Sequence, residues 1–236
     1  MCDWNTPESP FDEAAFSGEV RLFPLPNLVL FPHVVQPLHV FEDRYREMVE
    51  DALVTDRLIG MAVLEPGWEP EYDGRPPVAP YACLGKIVTH HRLKDGRYNL
   101  LLLGLRRVRI ARELAPIRSF RQAKVELLHD CFVDDPGTDP DSLKRELLEA
   151  FQRRLPAACQ APEQLGSLFA KHVPLGIVTD LVAYTLPFDL ALKQKLLAEC
   201  HVELRAQMLL EQLGALSGVL ASDRANGGFP PPFSAN

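Results

Sequence analysis

Positive charge is in short supply in this sequence: 25 Lys and Arg stand against 32 Asp and Glu, giving a formal net charge of -7 and a pI of about 5.5. That balance argues against a general binder of nucleic acid or anionic membrane, because such proteins carry excess Lys and Arg to neutralise phosphate. Paired cysteines are missing too. Cys2, Cys83, Cys131, Cys159 and Cys200 are odd in number, widely spaced and form no C-x-x-C, which favours free thiols over a disulfide framework or a zinc site. No run approaches the roughly 18 uninterrupted apolar residues of a membrane span. The opening "MCDWNTPESPFDEAAFSGE" has neither a basic nor an apolar signal region. A soluble cytoplasmic protein is the expectation.

Catalytic signatures are equally scarce. No serine sits in a G-x-S-x-G elbow, and neither G-x-x-x-x-G-K-[ST] nor G-x-G-x-x-G occurs; "LGKIV" has a Gly-Lys pair without the loop that should precede it. His90 and His91 are neighbours on a predicted strand and point to opposite faces. His33 and His39 share strand parity but have Pro37 between them, so neither pair converges on an ion. The expectation is no catalytic residue, no metal and no cofactor.

Apolar residues are plentiful at 47%, enough for a core. Residues 1–18 and 223–236 read as flexible ends, and the texture between them changes once, around His129 to Ser142. Upstream, over 19–130, short strands dominate. "EVRLFPL" is a strand, and "LVLFPHVVQPLHV" is an extended segment whose prolines suit an edge, bulge or strand end, because proline donates no ladder hydrogen bond. In "FEDRYREMVEDAL", Phe41, Tyr45, Met48, Val49, Ala52 and Leu53 share one helical face. "RLIGMAVL" is a buried strand, followed by the long loop "EPGWEPEYDGRPPVAP". "YACLGKIVTHHRL" and "RYNLLLLGLRRVRIAREL" form a hairpin turned by Asp95 and Gly96, and "FRQAKVELL" closes the set. Such strands with one helix suggest a closed or nearly closed small β-barrel.

Downstream, over 138–222, apolar residues recur at helical spacing. Asp139 and Pro140 read as the cap and first residue of one helix; "PEQLGSLFAKH", "LGIVTDLVAYTL" and a long segment breaking near Cys200 supply the rest of a helical bundle. The fold class expected is α+β, a small barrel subdomain with one helix followed by a C-terminal α-helical bundle.

Three surface features bear on function. Glu42, Asp43, Glu47, Glu50 and Asp51 read as a solvated helix face, with Glu42 and Arg46 as an i,i+4 pair. Arg106, Arg107, Arg109, Arg112, Arg118 and Arg121 are the one basic concentration, and an RNA-binding barrel using the Arg106–Arg109 strand is the alternative function. No aromatic residue interleaves with them between Arg106 and Arg118, so stacking platforms are lacking. Trp68 and Tyr72 sit in the long Pro-rich loop, where they either pack onto the barrel or form a binding edge.

The order of motifs resembles the substrate-binding N-terminal domain of the ATP-dependent Lon proteases, including its stand-alone bacterial versions. The likeness rests on Phe23-Pro24-Leu25, Val29-Leu30-Phe31-Pro32, Pro37-Leu38-His39-Val40-Phe41-Glu42 with Arg44-Tyr45, Met48-Val49, Leu84-Gly85-Lys86-Ile87-Val88, Leu93-Lys94-Asp95-Gly96 and Gly104-Leu105-Arg106-Arg107-Val108-Arg109-Ile110. Lys193-Gln194-Lys195-Leu196-Leu197, with Val202 and Arg205, extends it to about residue 215. The resemblance implies a PUA-like barrel followed by helices, a role in recognising unfolded or exposed polypeptide segments, and structural roles for these motif residues. It also implies a stand-alone form without the AAA+ and Ser-Lys peptidase domains. The expected protein is a non-enzymatic adaptor or chaperone-like factor in proteolysis, with a separate protease or ATPase as candidate partner.

Overall fold

Alternate residues of the first strand go to two different cores. In β1 (Glu19–Leu25), Val20 and Leu22 join a small cluster with Leu58, Ala62, Leu84 and Val125, whereas Phe23 and Leu25 join a larger one with Phe31, Met48 and Leu102. A strand buried on both faces reads as a nearly continuous apolar run, as "VRLFPL" does. The computed structural model describes residues 11–72, 74–132, 139–155, 173–215 and 234–235.

The remaining strands are β2 (Val35–Val40), β3 (Leu58–Val63), β4 (Tyr81–Arg92), β5 (Tyr98–Glu113), β6 (Arg121–Leu128) and the two-residue β7 (Ser234–Ala235). β1 pairs parallel with β3 and antiparallel with β6, and the ladder β4-β3-β1-β6-β5 returns to β4 through the β4–β5 hairpin. The five strands of this ring contribute the small cluster, largely Val, Leu and Ala. Gly60 belongs to this lining, since a Cβ there would stand 3.3 Å from side chains of Val20 and Leu22. β2 lies outside the ring, pairing with the Tyr98–Leu103 half of β5.

The prolines fall where a missing donor does least harm. β6 pairs with β1 only at Glu19–Leu22, so Pro24 has β3 as its one ladder partner. Pro37 is on marginal β2, which among the described residues meets only β7 beyond β5. The segment expected as one extended stretch is instead divided. His33 takes a left-handed conformation, φ 65°, and the Phe31–Val34 connection crosses β5 at Gly104. His33 N–H donates to the Gly104 carbonyl at 2.9 Å, and Gly104 N–H donates to that of Val34 at 2.8 Å. A Cβ on residue 104 would stand 2.1 Å from the Phe31 carbonyl oxygen, so only glycine permits the crossing.

α1 (Asp43–Leu53) buries Tyr45, Met48, Val49 and Ala52 as the spacing predicts. Phe41 departs from expectation: Glu42 is the N-cap, so Phe41 precedes the helix and is 36% exposed beside the His39 ring. The hairpin turn follows its signature, with Gly96 at φ 85° and Asp95 accepting from the Arg97 backbone N–H at 3.1 Å.

Beyond the sheet lie α2 (Pro140–Gln152), α3 (Leu175–Thr185), α4 (Leu190–Ala198) and α5 (Val202–Ala215). Asp139 caps α2 by accepting from Asp141 N–H at 3.2 Å, Pro140 opens the helix, and Asp189 caps α4 through Leu192 N–H at 2.7 Å. The break near Cys200 separates α4 from α5. α2, α3 and α5 pack on one another, and α4 lies against β4 and β5. The architecture is mixed α+β. The predicted helix "PEQLGSLFAKH" and most of the two expected flexible ends lie outside the described residues.

Candidate functional site

Glu42 stands where β2 has ended and α1 begins, and its carboxylate is shared. Oε2 accepts from Arg44 Nε at 3.0 Å, and Oε1 accepts from the Tyr72 hydroxyl at 2.5 Å. The expected pairing of Glu42 with Arg46 is therefore replaced: Arg46 pairs with Asp43 at 2.8 Å, because an N-cap carboxylate is not on the helix face. The other carboxylates of this helix are not a merely solvated face either. Asp51 binds the buried Arg21 at 2.6 Å, Glu47 accepts from the Ser119 hydroxyl, and Glu50 accepts from the Tyr98 hydroxyl at 3.1 Å.

Arg44 is held on several sides. Its Nη1 donates to the Tyr72 carbonyl at 3.3 Å, and its guanidinium carbon lies 4.7 Å from the Tyr45 ring centre and 4.9 Å from that of Tyr72. Burial opposes its charge, but Tyr45, Glu42 and Tyr72 outweigh this and hold its pKa above the usual arginine value. Burial, then the bond to Glu42, pushes the Tyr72 phenol up. Trp68 meets Tyr72 edge to face at 5.4 Å, and both are half-buried. Packing and exposure, posed as alternatives by the sequence, are thus combined: one side of this aromatic pair is clamped to α1 and the other faces solvent.

The same loop continues into Gly74 and Arg75, which with Arg44, Tyr45, Ser119, Phe120 and Arg121 line a cavity of about 240 Å³. Arg121 fixes the far wall. It donates Nη1 to the Pro76 carbonyl at 2.7 Å and is bidentate on Glu113, with Nε at 2.9 Å from one carboxylate oxygen.

Arg106, Arg107 and Arg109 are taken up by carboxylates of this chain, which does not favour the nucleic-acid alternative. Leu84 opposes Arg106 while Gly85 opposes Gly104, so Leu105 is an extra residue that reverses the alternation of β5. Leu100 and Leu102 face the larger core before the bulge. After it, Val108 turns into the ring and Arg107 takes the side facing the helices. Arg107 is 3% exposed and bidentate on Asp180 of α3, with one contact at 3.1 Å, and lies 3.5 Å from Asp130. Arg205 of α5, 1% exposed, grips Asp130 at 2.8 and 3.0 Å and donates to Thr179 and to the Glu199 carbonyl. Arg106 pairs with Glu13, Arg109 with Glu126 and Arg118 with Asp51. Burial opposes the Arg107 charge, Asp180 outweighs it, and the guanidinium is held above its usual value. This ionic joint between sheet and helices was missed. Its signal was Asp180 itself, one carboxylate inside the apolar helix "LGIVTDLVAYTL".

The other motif residues build the frame around these groups. Phe31, Pro32 and Gly104 make the crossing, and Tyr45 packs on Phe23 with ring centres 4.6 Å apart. The sequence pattern of the ATP-dependent protease La (LON) substrate-binding domain matches residues 19–214. The chain belongs to this family. Among Lon relatives, a Lon protease of Dictyoglomus thermophilum is 28% identical over 79% of this chain and 23% of its own length. One of Roseiflexus castenholzii is 27% identical over 89% of this chain and 25% of its own length. The chain thus spans about a quarter of the length of these Lon proteases. Among solved structures, a Lon N-terminal domain protein from Xanthomonas campestris is 26% identical with a TM-score of 0.59, covering 84% of this chain and 97% of that one. The N-terminal domain of a Mycobacterium avium complex Lon protease shares the fold at 18% identity, TM-score 0.60, over 83% of this chain and 98% of that one. Membership in the Lon substrate-binding family supports a polypeptide-binding role.

Proposed function

We propose that this chain is a non-catalytic module, cytoplasmic, that binds exposed polypeptide as an adaptor or chaperone-like factor in proteolysis, with a separate protease or ATPase as its partner. The closed ring of strand pairings is read as the PUA-like barrel that carries the binding surface, and the packed helices as its bundle. One observation carries the reading. Tyr72 is clamped to Glu42 and Arg44, which holds Trp68 half open at the surface and spares much of the ordering cost of binding.

The test is fluorescence anisotropy with labelled, chemically unfolded casein. Trp68→Ala/Tyr72→Ala is expected to weaken binding by about tenfold or more, as loss of an aromatic anchor does, with an unchanged circular dichroism spectrum. Unchanged affinity in that variant would remove this surface, and no binding by the wild type would remove the role.

A further inference from the structure

We infer that the cavity beside Trp68 and Tyr72 is a carboxylate pocket, so that the polypeptides bound there are those presenting an acidic side chain or a free chain end next to an apolar residue. This rests on the polypeptide-binding reading and gives it a chemical preference.

Among the described residues, every charged one lining the cavity is positive: Arg44, Arg75 and Arg121. Two of them are half spent, Arg44 on Glu42 and Arg121 on Glu113. Arg75 is exposed and enters no ion pair among the described residues. Glu42, Glu113 and, through the Ser119 hydroxyl, Glu47 already stand at this wall, so among the described lining residues it is Arg75 that presents an unanswered cation, which suits a monoanion such as a carboxylate better than a phosphate dianion.

Preorganisation favours the same ligand. The Arg44 guanidinium is stacked between two tyrosines, and Arg121 is fixed by Glu113 and the Pro76 carbonyl, so little side-chain freedom remains to be lost. Tyr45 and Phe120 back the cavity with almost fully buried rings, which strengthens a charge pair formed against them. A volume of about 240 Å³ is room enough for one side chain or one chain end. The neighbouring apolar residue of the bound segment then falls on Trp68 and Tyr72, whose loop supplies Gly74 and Arg75 to the wall.

The experiment uses the full chain and four labelled peptides built on one apolar sequence that contains a Phe. One carries Asp beside the Phe with an amidated end, one carries Asn with an amidated end, and two end at the Phe, as free acid or as amide. At least one acidic member is expected to bind tenfold or more tightly than its neutral twin, and the pair that shows the gap identifies side chain or chain end as the source. Arg75→Gln should shrink that gap to threefold or less without shifting the melting temperature, and Arg75→Lys should restore part of it. Equal binding of all four peptides, or a gap indifferent to Arg75→Gln, overturns the carboxylate pocket while leaving polypeptide binding in place. No binding of any of them to the wild type removes the parent reading together with this one.

Discussion

A single hydrogen decides whether the strand ring and its covering loop can meet. At Gly104 the replaced hydrogen would become a methyl group 2.1 Å from the Phe31 carbonyl oxygen, and a backbone atom cannot swing aside as a side chain does. Gly104→Ala is expected to lower the unfolding free energy by about 3 kcal/mol or more, measured by urea titration. The neighbouring His33 gives the fold a pH response. Burial lowers its pKa below 6.5, with Arg106 and Arg107 acting the same way and Asp180 and Asp130 opposing. The unfolded chain therefore takes up a proton near pH 6.5 that the folded chain refuses until lower pH, so stability falls as pH drops through that window. His33→Asn, which tolerates the left-handed backbone, should flatten the slope of the urea midpoint between pH 7.5 and 5.5. Asp130 acts at lower pH. Its burial is outweighed by Arg205, its pKa is below 3.8, and the stability it lends is present above that value and lost as pH falls through the lowered one.

At the scale of elements, what the sequence disclosed and what it concealed have separate physical causes. Spacing revealed α1 because Tyr45, Met48, Val49 and Ala52 all bury on one side. It misplaced Phe41 because apolar periodicity carries no mark for where a helix begins, and Glu42 caps without a side-chain hydrogen bond. The Asp95-Gly96 turn was legible because a positive φ has a composition. The arginines of β5 were not, because the bulge at Leu105 reverses alternation without any residue type that announces it. The candidate site was legible only as Trp68 and Tyr72; that Glu42 and Arg44 hold them depends on a contact across the long loop that local pattern cannot express. A prediction belongs here. Tyr72→Phe removes the hydroxyl bond to Glu42 but keeps the ring, so casein affinity should fall by less than in the double alanine variant while the Trp68 fluorescence of a Trp4→Phe background shifts to longer wavelength.

Across the whole molecule, sheet and helices are joined by charge as well as by packing. Arg107 joins β5 to Asp180 of α3, and Asp130 shares its carboxylate between Arg107 and Arg205 of α5. Arg107→Met leaves Asp180 buried without its partner and is expected to cost about 3–5 kcal/mol, whereas Arg107→Met/Asp180→Leu should recover most of that loss. Chemical denaturation of the two variants measures the difference. Gly176 tightens the joint further, since a Cβ there would meet Asp130 Oδ2 at 2.4 Å.

The closed strand ring sets a timetable as well as a shape. β1 finds its antiparallel partner only when Glu19 meets Lys124, roughly a hundred residues later in synthesis, which at about 5–20 residues per second leaves it waiting on the order of 5–20 s. Until then the Glu19–Leu22 edge of β1 has one side unserved, and Pro24, two residues past that edge, cannot donate to a stranger's ladder. The newborn chain is therefore itself an exposed polypeptide of the kind the finished one is proposed to bind.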